Sequence, residues 1–153
     1  MSESGKKWVK MFTGEYRHSL DAKNRLIIPA RLRADIGDTF VVTRGLDGCL
    51  SIYTTVSWDR QQKQLEKLPQ TNKAARAYMR FIASGAMEGT FDTQGRVQLP
   101  AALLDYAGIS KTCVVIGAGD NVEIWDEERW NQYNSKTAEN FDDIAESLTE
   151  FLQ

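Results

Sequence analysis

The sequence predicts an α+β protein built from two tandem copies of a small β-rich module, with connecting and C-terminal helices. Three observations carry that prediction. Residues 14–37 lie over residues 85–108 without a gap, with seven of 24 positions identical, where average residue usage would supply roughly one or two. The identities fall where backbone is constrained, at Gly14/Gly85, Pro29/Pro100 and Gly37/Gly108, with Asp21/Asp92 and Arg25/Arg96 beside them. After a small shift the likeness continues through Val41-Val42 and Val114-Val115, Ile52-Tyr53 and Ile124-Trp125, and Trp58 and Trp130, so each unit spans about 45 residues, a period that marks an internal repeat.

Residues 1–12 form an N-terminal extension, in which Lys6, Lys7 and Lys10 are assigned no role. The first module covers 13–58. Tyr16, His18 and Leu20 alternate with Glu15, Arg17 and Ser19, the period-two pattern of a half-buried strand. Residues 21–24 make a turn, and 25–28 form the return strand of a hairpin. Pro29 opens a short helix over 30–36, where its missing N–H costs nothing, and Gly37 ends it by taking the left-handed cap conformation. Residues 39–43 and 49–53 are apolar strands joined through the Gly-rich turn 45–48. Helices connect the modules over 59–83: Thr55 or Ser57 caps one that runs to Leu68 before Pro69, and a second spans 72–83 with Lys73, Arg76 and Arg80 on one face. The second module, 84–130, repeats the design with a turn at 118–121. An acidic helical region, 131–153, closes the chain, with Trp130, Tyr133, Phe141, Ile144, Leu148 and Phe151 as apolar anchors that cover either this chain's core or another subunit.

Composition narrows the function classes. With 42% hydrophobic and 26% charged residues in 153, the chain can bury one sizeable core or two small ones. No apolar run approaches the ~20 residues of a membrane span, and the N-terminus has no secretory segment, which predicts a cytoplasmic protein with no membrane partner. Cys49 and Cys113 lie in apolar stretches and read as small buried hydrophobes. One histidine, with no Gly-x-Ser-x-Gly elbow, phosphate-binding loop or spaced metal cluster, leaves neither metal, cofactor, small-molecule substrate nor enzyme activity to expect. The net charge of −2 hides an uneven distribution. Residues 1–44 hold nine Lys/Arg against five Asp/Glu (+4), and residues 126–153 hold two against eight (−6). A basic face survives an acidic total because phosphate responds to local potential.

Asp21-Ala-Lys-Asn-Arg25 and Asp92-Thr-Gln-Gly-Arg96 are the candidate site. Asp opens such a turn because its carboxylate accepts backbone N–H groups ahead of it, while Asn24 and Gly95 tolerate positive φ. Arg at the start of the next strand stands clear of the turn, with a planar fork of donors that fits a phosphate or the O6/N7 edge of guanine. The simpler reading of one such turn is an ion pair that closes it. The first turn adds Lys23, and Arg17 on the adjoining strand is a further phosphate partner; the second has Thr93 and Gln94 there, so the first is expected to dominate.

Residues 11–33, together with the second copy at 92–100, resemble the MraZ family from Met11 to about Phe151. The resemblance implies two modules like the AbrB and SpoVT swapped-hairpin domain, related by a pseudo-two-fold axis. It also implies a nucleoid-associated transcriptional regulator that forms a ring-shaped homo-oligomer. Such a regulator binds double-stranded DNA at short direct repeats in the promoter of its own division and cell-wall gene cluster. DNA contacts then fall to Asp21, Arg25, Asp92 and Arg96, with Lys23, Asn24 and Arg17 alongside. Asn24 stands where the family commonly has Gly. Two other readings remain: a ring scaffold whose turns pair internally and whose acidic helices recruit a protein, and a one-module antitoxin or transition-state regulator, against which the fused pair argues.

Overall fold

The computed structural model describes residues 11–152, so the extension's lysines and residue 153 lie outside the described part. The first half runs β1 (Glu15–Ser19), β2 (Arg25–Ile27), α1 (Ala30–Ile36), β3 (Thr39–Arg44), β4 (Leu50–Thr54) and α2 (Thr55–Glu66), followed by the connecting helix α3 (Lys73–Gly85). The second half repeats the order as β5 (Met87–Thr90), β6 (Arg96–Gln98), α4 (Ala101–Ala107), β7 (Thr112–Gly117), β8 (Val122–Asp126) and α5 (Glu127–Glu139), followed by α6 (Phe141–Ser147) and a 3₁₀ turn, Thr149–Phe151.

The halves interlock. Six strands form one antiparallel sheet in the order β1-β7-β8-β4-β3-β5, which reads the same from either end once the repeats are equated. The first strand of each half pairs with the third strand of the other: Tyr16 faces Val115 across β1 and β7, and Phe40 faces Gly89 across β3 and β5. The sequence suggested that β2 returns along β1, and this is corrected. β2 crosses to β6 and forms a separate two-stranded ribbon with it. A three-residue strand has one inward side chain, and this pairing sets Leu26 against Val97, both at most 1% exposed. The core is therefore shared: Leu26, Ile28, Phe40 and Ile52 of one half pack in the same cluster as Val97, Leu99 and Ile124 of the other.

Local signals differ in detail from the expectation. Pro29 precedes α1 as anticipated, but Gly37 has φ 93° and ψ 176°, positive yet extended, and only its counterpart Gly108 (φ 65°, ψ 26°) takes the left-handed cap. The α2 cap is Thr54, whose side chain accepts the Ser57 N–H, rather than Thr55 or Ser57, and α2 ends at Glu66. Asn72 caps α3 by accepting the Ala75 N–H. Cys49 and Cys113 are fully buried; burial pushes the Cys113 thiol up to about 12 and the Cys49 thiol higher still. Of the C-terminal anchors, Trp130 and Tyr133 pack on Trp125, whereas Phe141, Ile144, Leu148 and Phe151 stay exposed and cover no part of this chain's core.

Candidate nucleic-acid interface

Both Asp-x-x-x-Arg segments fold into the same hydrogen-bonded turn. Asp21 Oδ1 accepts the backbone N–H groups of Lys23 and Arg25, each at 2.9 Å, and Asp92 Oδ1 accepts those of Gln94 and Arg96 at the same distance. The third turn residue takes positive φ, 59° at Asn24 and 77° at Gly95, a conformation both residue types tolerate.

The second carboxylate oxygen holds the arginine. Arg25 Nε donates to Asp21 Oδ2 at 2.7 Å, and Arg96 Nε donates to Asp92 Oδ2 at 2.8 Å. The arginines are thus folded back onto their turns instead of standing clear, because a cation four residues on is the nearest donor for a carboxylate oxygen that the backbone leaves unfilled. Each ion pair uses Nε. Among the described residues the Arg25 Nη atoms have no hydrogen-bond partner, and Arg96 reaches only Asp21 Oδ2 with Nη1, at 3.5 Å. Desolvation works to raise the Asp21 carboxyl, and the N–H and guanidinium donors outweigh it, holding it below the ordinary carboxylate value. Asp92 is held below it chiefly by the Arg96 N–H.

The β2 and β6 ribbon brings the two turns together. Arg25 lies opposite Gln98 and Ile27 opposite Arg96, so Leu26 and Val97 face inward while Arg25, Ile27, Arg96 and Gln98 form the outer face. Ile28 N–H donates to the Gly95 carbonyl at 3.1 Å and Leu99 N–H to the Asn24 carbonyl at 2.9 Å. Gln98 Nε2 donates to the Lys23 carbonyl at 3.3 Å. Each turn is thereby stitched to the strand that follows the other, with the turns at opposite ends of the ribbon, roughly 10 Å apart at strand rise.

The remaining cations divide. Lys23 is exposed on the first turn. Arg17 is not brought to the ribbon: it donates to Glu15 Oε2, to Glu127 Oε2 at 3.1 Å and to Asn131 Oδ1 at 3.0 Å, tying β1 to α5. Arg33, which the sequence reading passed over, lies against the second turn. It donates to the Ile28 carbonyl, and a Cβ on Gly95 would collide with its guanidinium. The second turn therefore gains from the first module the cation that its own sequence lacks. The clue was present: Arg33 precedes Gly95 by 62 residues, but its equivalent in the repeat is Leu104, so the repeat itself pointed away from it.

The family model described as "MraZ protein, putative antitoxin-like" matches the chain twice, over residues 11–81 and 82–152. Among curated relatives, the protein named transcriptional regulator MraZ from Ligilactobacillus salivarius (strain UCC118) is 51% identical over 141 residues, covering 92% of this chain and 99% of the relative. The protein of that name from Lactiplantibacillus plantarum (strain ATCC BAA-793 / NCIMB 8826 / WCFS1) is 51% identical over 141 residues, covering 92% and 100%. That from Heliobacterium modesticaldum (strain ATCC 51547 / Ice1) is 50% identical over 141 residues, covering 92% and 99%.

Proposed function

The chain belongs to the MraZ family, a family of transcriptional regulators and not of enzymes, and on that premise we propose that it binds double-stranded DNA through the outer face of the β2 and β6 ribbon. One observation carries the proposal: the ribbon sets Arg25 and Arg96 on one face, diagonally across the strand pairing, opposite the buried Leu26 and Val97. A two-stranded ribbon fits the major groove, where arginine reads guanine O6 and N7. Asp21 and Asp92 occupy Nε and fix the guanidinium planes, so the Nη ends meet the DNA without first having to be ordered. Lys23 and Arg33 neutralise phosphates at the two ends. Asn24 shapes the first turn, and Arg17 acts at a distance by holding β1 on α5.

Each chain offers few contacts, and affinity comes from repetition. A homo-oligomer whose head-to-tail interface closes into a ring presents several ribbons. Successive direct repeats in the promoter of its own division and cell-wall gene cluster then bind at high effective concentration, in the cytoplasm on the nucleoid. A gel-shift assay on that promoter tests the site. Arg25→Ala abolishes the shifted band while the oligomer's size is unchanged; wild-type binding by the variant would overturn the assignment.

A second reading, a scaffold that recruits protein, is favoured by the closed ion pairs within both turns. Salt separates the two. Steep loss of promoter binding with rising salt supports phosphate contacts, and no DNA binding at low salt leaves the scaffold.

A further inference from the structure

On the sheet face away from the ribbon, the two copies of the repeat are filled differently. Leu50, Ile52, Val122 and Ile124 point into the shared core, so Ser51, Tyr53, Glu123 and Trp125 point to the opposite face, where α2 and α5 lie. The register that aligns Trp58 with Trp130 also aligns Tyr53 with Trp125 and Gln61 with Tyr133. In the second half Trp125, Trp130 and Tyr133 form a cluster of three rings, with centroids 5.3, 5.0 and 6.3 Å apart. The first half keeps only the pair, Tyr53 and Trp58, at 5.6 Å. Gln61 stands in place of the third ring and lines a cavity of about 260 Å³, bounded by Tyr78 and Ile82 of α3.

The walls of this cavity carry negative charge and acceptors with no cation paired to them. Asp120 and Glu123 both line it, and among the described residues neither takes part in an ion pair. Glu123 accepts the Trp125 Nε1–H at 3.0 Å, yet burial still raises its carboxyl above the ordinary value, the mark of a charge short of compensation. Asn121 donates from Nδ2 to Asp120 Oδ1 at 2.9 Å, while its own Oδ1, closed to solvent, has no donor among the described residues. Arg44 reaches the cavity's edge, but its guanidinium is held on α3: Nη1 donates to the Phe81 carbonyl at 2.7 Å and to Ser84 Oγ at 3.1 Å, above the Phe81 ring. Tyr53 and Tyr78 add aromatic rings, whose faces attract cations. Among the described residues no group of three His, Cys, Asp or Glu is placed to hold a metal ion, so the cation that fits is organic.

We propose that this cavity is a binding site for a small aliphatic ammonium compound, with the ammonium on Glu123 and Asn121 Oδ1 and the carbon chain beside Tyr53, Tyr78 and Ile82. The ligand's N–H groups supply the donor that Asn121 Oδ1 lacks, and its charge offsets the desolvated carboxylate of Glu123. A diamine engages Asp120 with its second ammonium. Size agrees: the cavity lies just below the about 300–1,000 Å³ of pockets that hold drug-sized ligands, which leaves room for a chain of a few carbons and not for a nucleotide or a folded segment. Its walls come from β4 and α2 of the first half, from α3, and from the β7–β8 turn of the second half, so an occupied cavity ties the halves together. The site is separate from the ribbon and does not depend on DNA binding.

Isothermal titration of the full chain with 1,4-diaminobutane, at neutral pH and fixed ionic strength, tests the site. Wild type gives saturable heat at one site per chain, and 1,4-butanediol, the same carbon chain without charge, gives none. Glu123→Gln keeps an acceptor for the Trp125 Nε1–H and removes the charge, so it weakens binding at least about tenfold, the effect of losing one charge-assisted hydrogen bond. Gln61→Tyr supplies the third ring found in the other half and abolishes binding without altering any charge. Circular dichroism establishes that both variants are folded. No saturable heat with wild type, equal binding of the diol, or wild-type affinity in either folded variant overturns the proposal; the last would mean that the diamine collects on exposed carboxylates such as those of α6.

Discussion

Replacing Arg25 with alanine should flatten the salt dependence of DNA binding as well as weaken it. The ribbon face and its two turns hold Lys23, Arg25, Arg33 and Arg96. If each neutralises one phosphate, log K falls with log salt at a slope of about −3.6 per subunit, from about −0.9 per contact. Removing Arg25 leaves about −2.7. Between about 50 and 200 mM salt, wild type then loses roughly 150-fold in affinity per subunit and the variant roughly 40-fold. A lost guanine contact adds about 1–3 kcal/mol at every salt concentration. Arg17→Ala serves as the control, because its guanidinium is already taken up by Glu15, Glu127 and Asn131. Fluorescence anisotropy with a promoter fragment across a salt series reads the slope. Equal slopes for wild type and Arg25→Ala, or an equal change with Arg17→Ala, would refute the assignment of the ribbon as the DNA-binding face.

Three further predictions concern stability, the first two of them what holds the ribbon in place. Leu26→Ala empties a fully buried site opposite Val97 and should cost about 2–5 kcal/mol, lowering Tm by about 10 °C for a chain of this size; thermal denaturation that shows no change would mean the ribbon does not depend on this pair. The pH dependence has two opposed parts. Asp21 and Asp92 are held below the ordinary carboxylate value, so the stability they give is complete above about pH 4 and is lost as pH falls through their folded values. Asp21→Asn with Asp92→Asn should lower Tm at neutral pH and converge with wild type in acid. Burial raises the Glu123 carboxyl, which penalises its charged form in the fold; that penalty is present at neutral pH and fades as pH falls through the raised value. Glu123→Gln, which keeps an acceptor for the Trp125 Nε1–H, should raise Tm at neutral pH, and a fall would show that the charge is compensated.

The repeat and the local turn chemistry were legible in the chain because both depend on short-range backbone constraints. Pro29 before α1, the Asp21 and Asp92 turns and the strands around 45–48 and 118–121 all fall where glycine, proline and aspartate put them. Partner choice was not legible, because a strand's alternation says which face is buried and not which strand lies beside it. β2 therefore read as a return strand along β1, although it crosses to β6. The same limit hid Arg33. Its guanidinium reaches the Gly95 turn only because the halves interlock, and in one dimension it is an ordinary surface residue on a helix. The arginines were legible in part: the ion pair read as closing a single turn forms in both, and the reading that they stand clear failed because a carboxylate oxygen is left over after the backbone is satisfied.

The two ends of the ribbon are equivalent only in part, and the differences bear on how a site is read. Arg25 corresponds to Arg96 and Leu26 to Val97, but Ile27 corresponds to Gln98 and Lys23 to Gln94. A ribbon with full two-fold symmetry reads a site and its inverted copy equally, as symmetric dimers read palindromes. If the chain reads direct repeats as proposed, every ribbon of a ring must be bound in one sense, and the mismatched positions are where that polarity would arise. Ile27, 42% exposed on the outer face, presents an apolar surface suited to a thymine methyl, where Gln98 presents an amide suited to adenine. Lys23→Gln with Ile27→Gln makes the outer faces of the two strands nearly alike. That variant should bind a probe carrying two direct repeats no better than one whose second repeat is inverted, whereas wild type prefers the direct arrangement. A preference that survives the double substitution would place the polarity elsewhere, in Arg33 over Gly95 or in the ring interface.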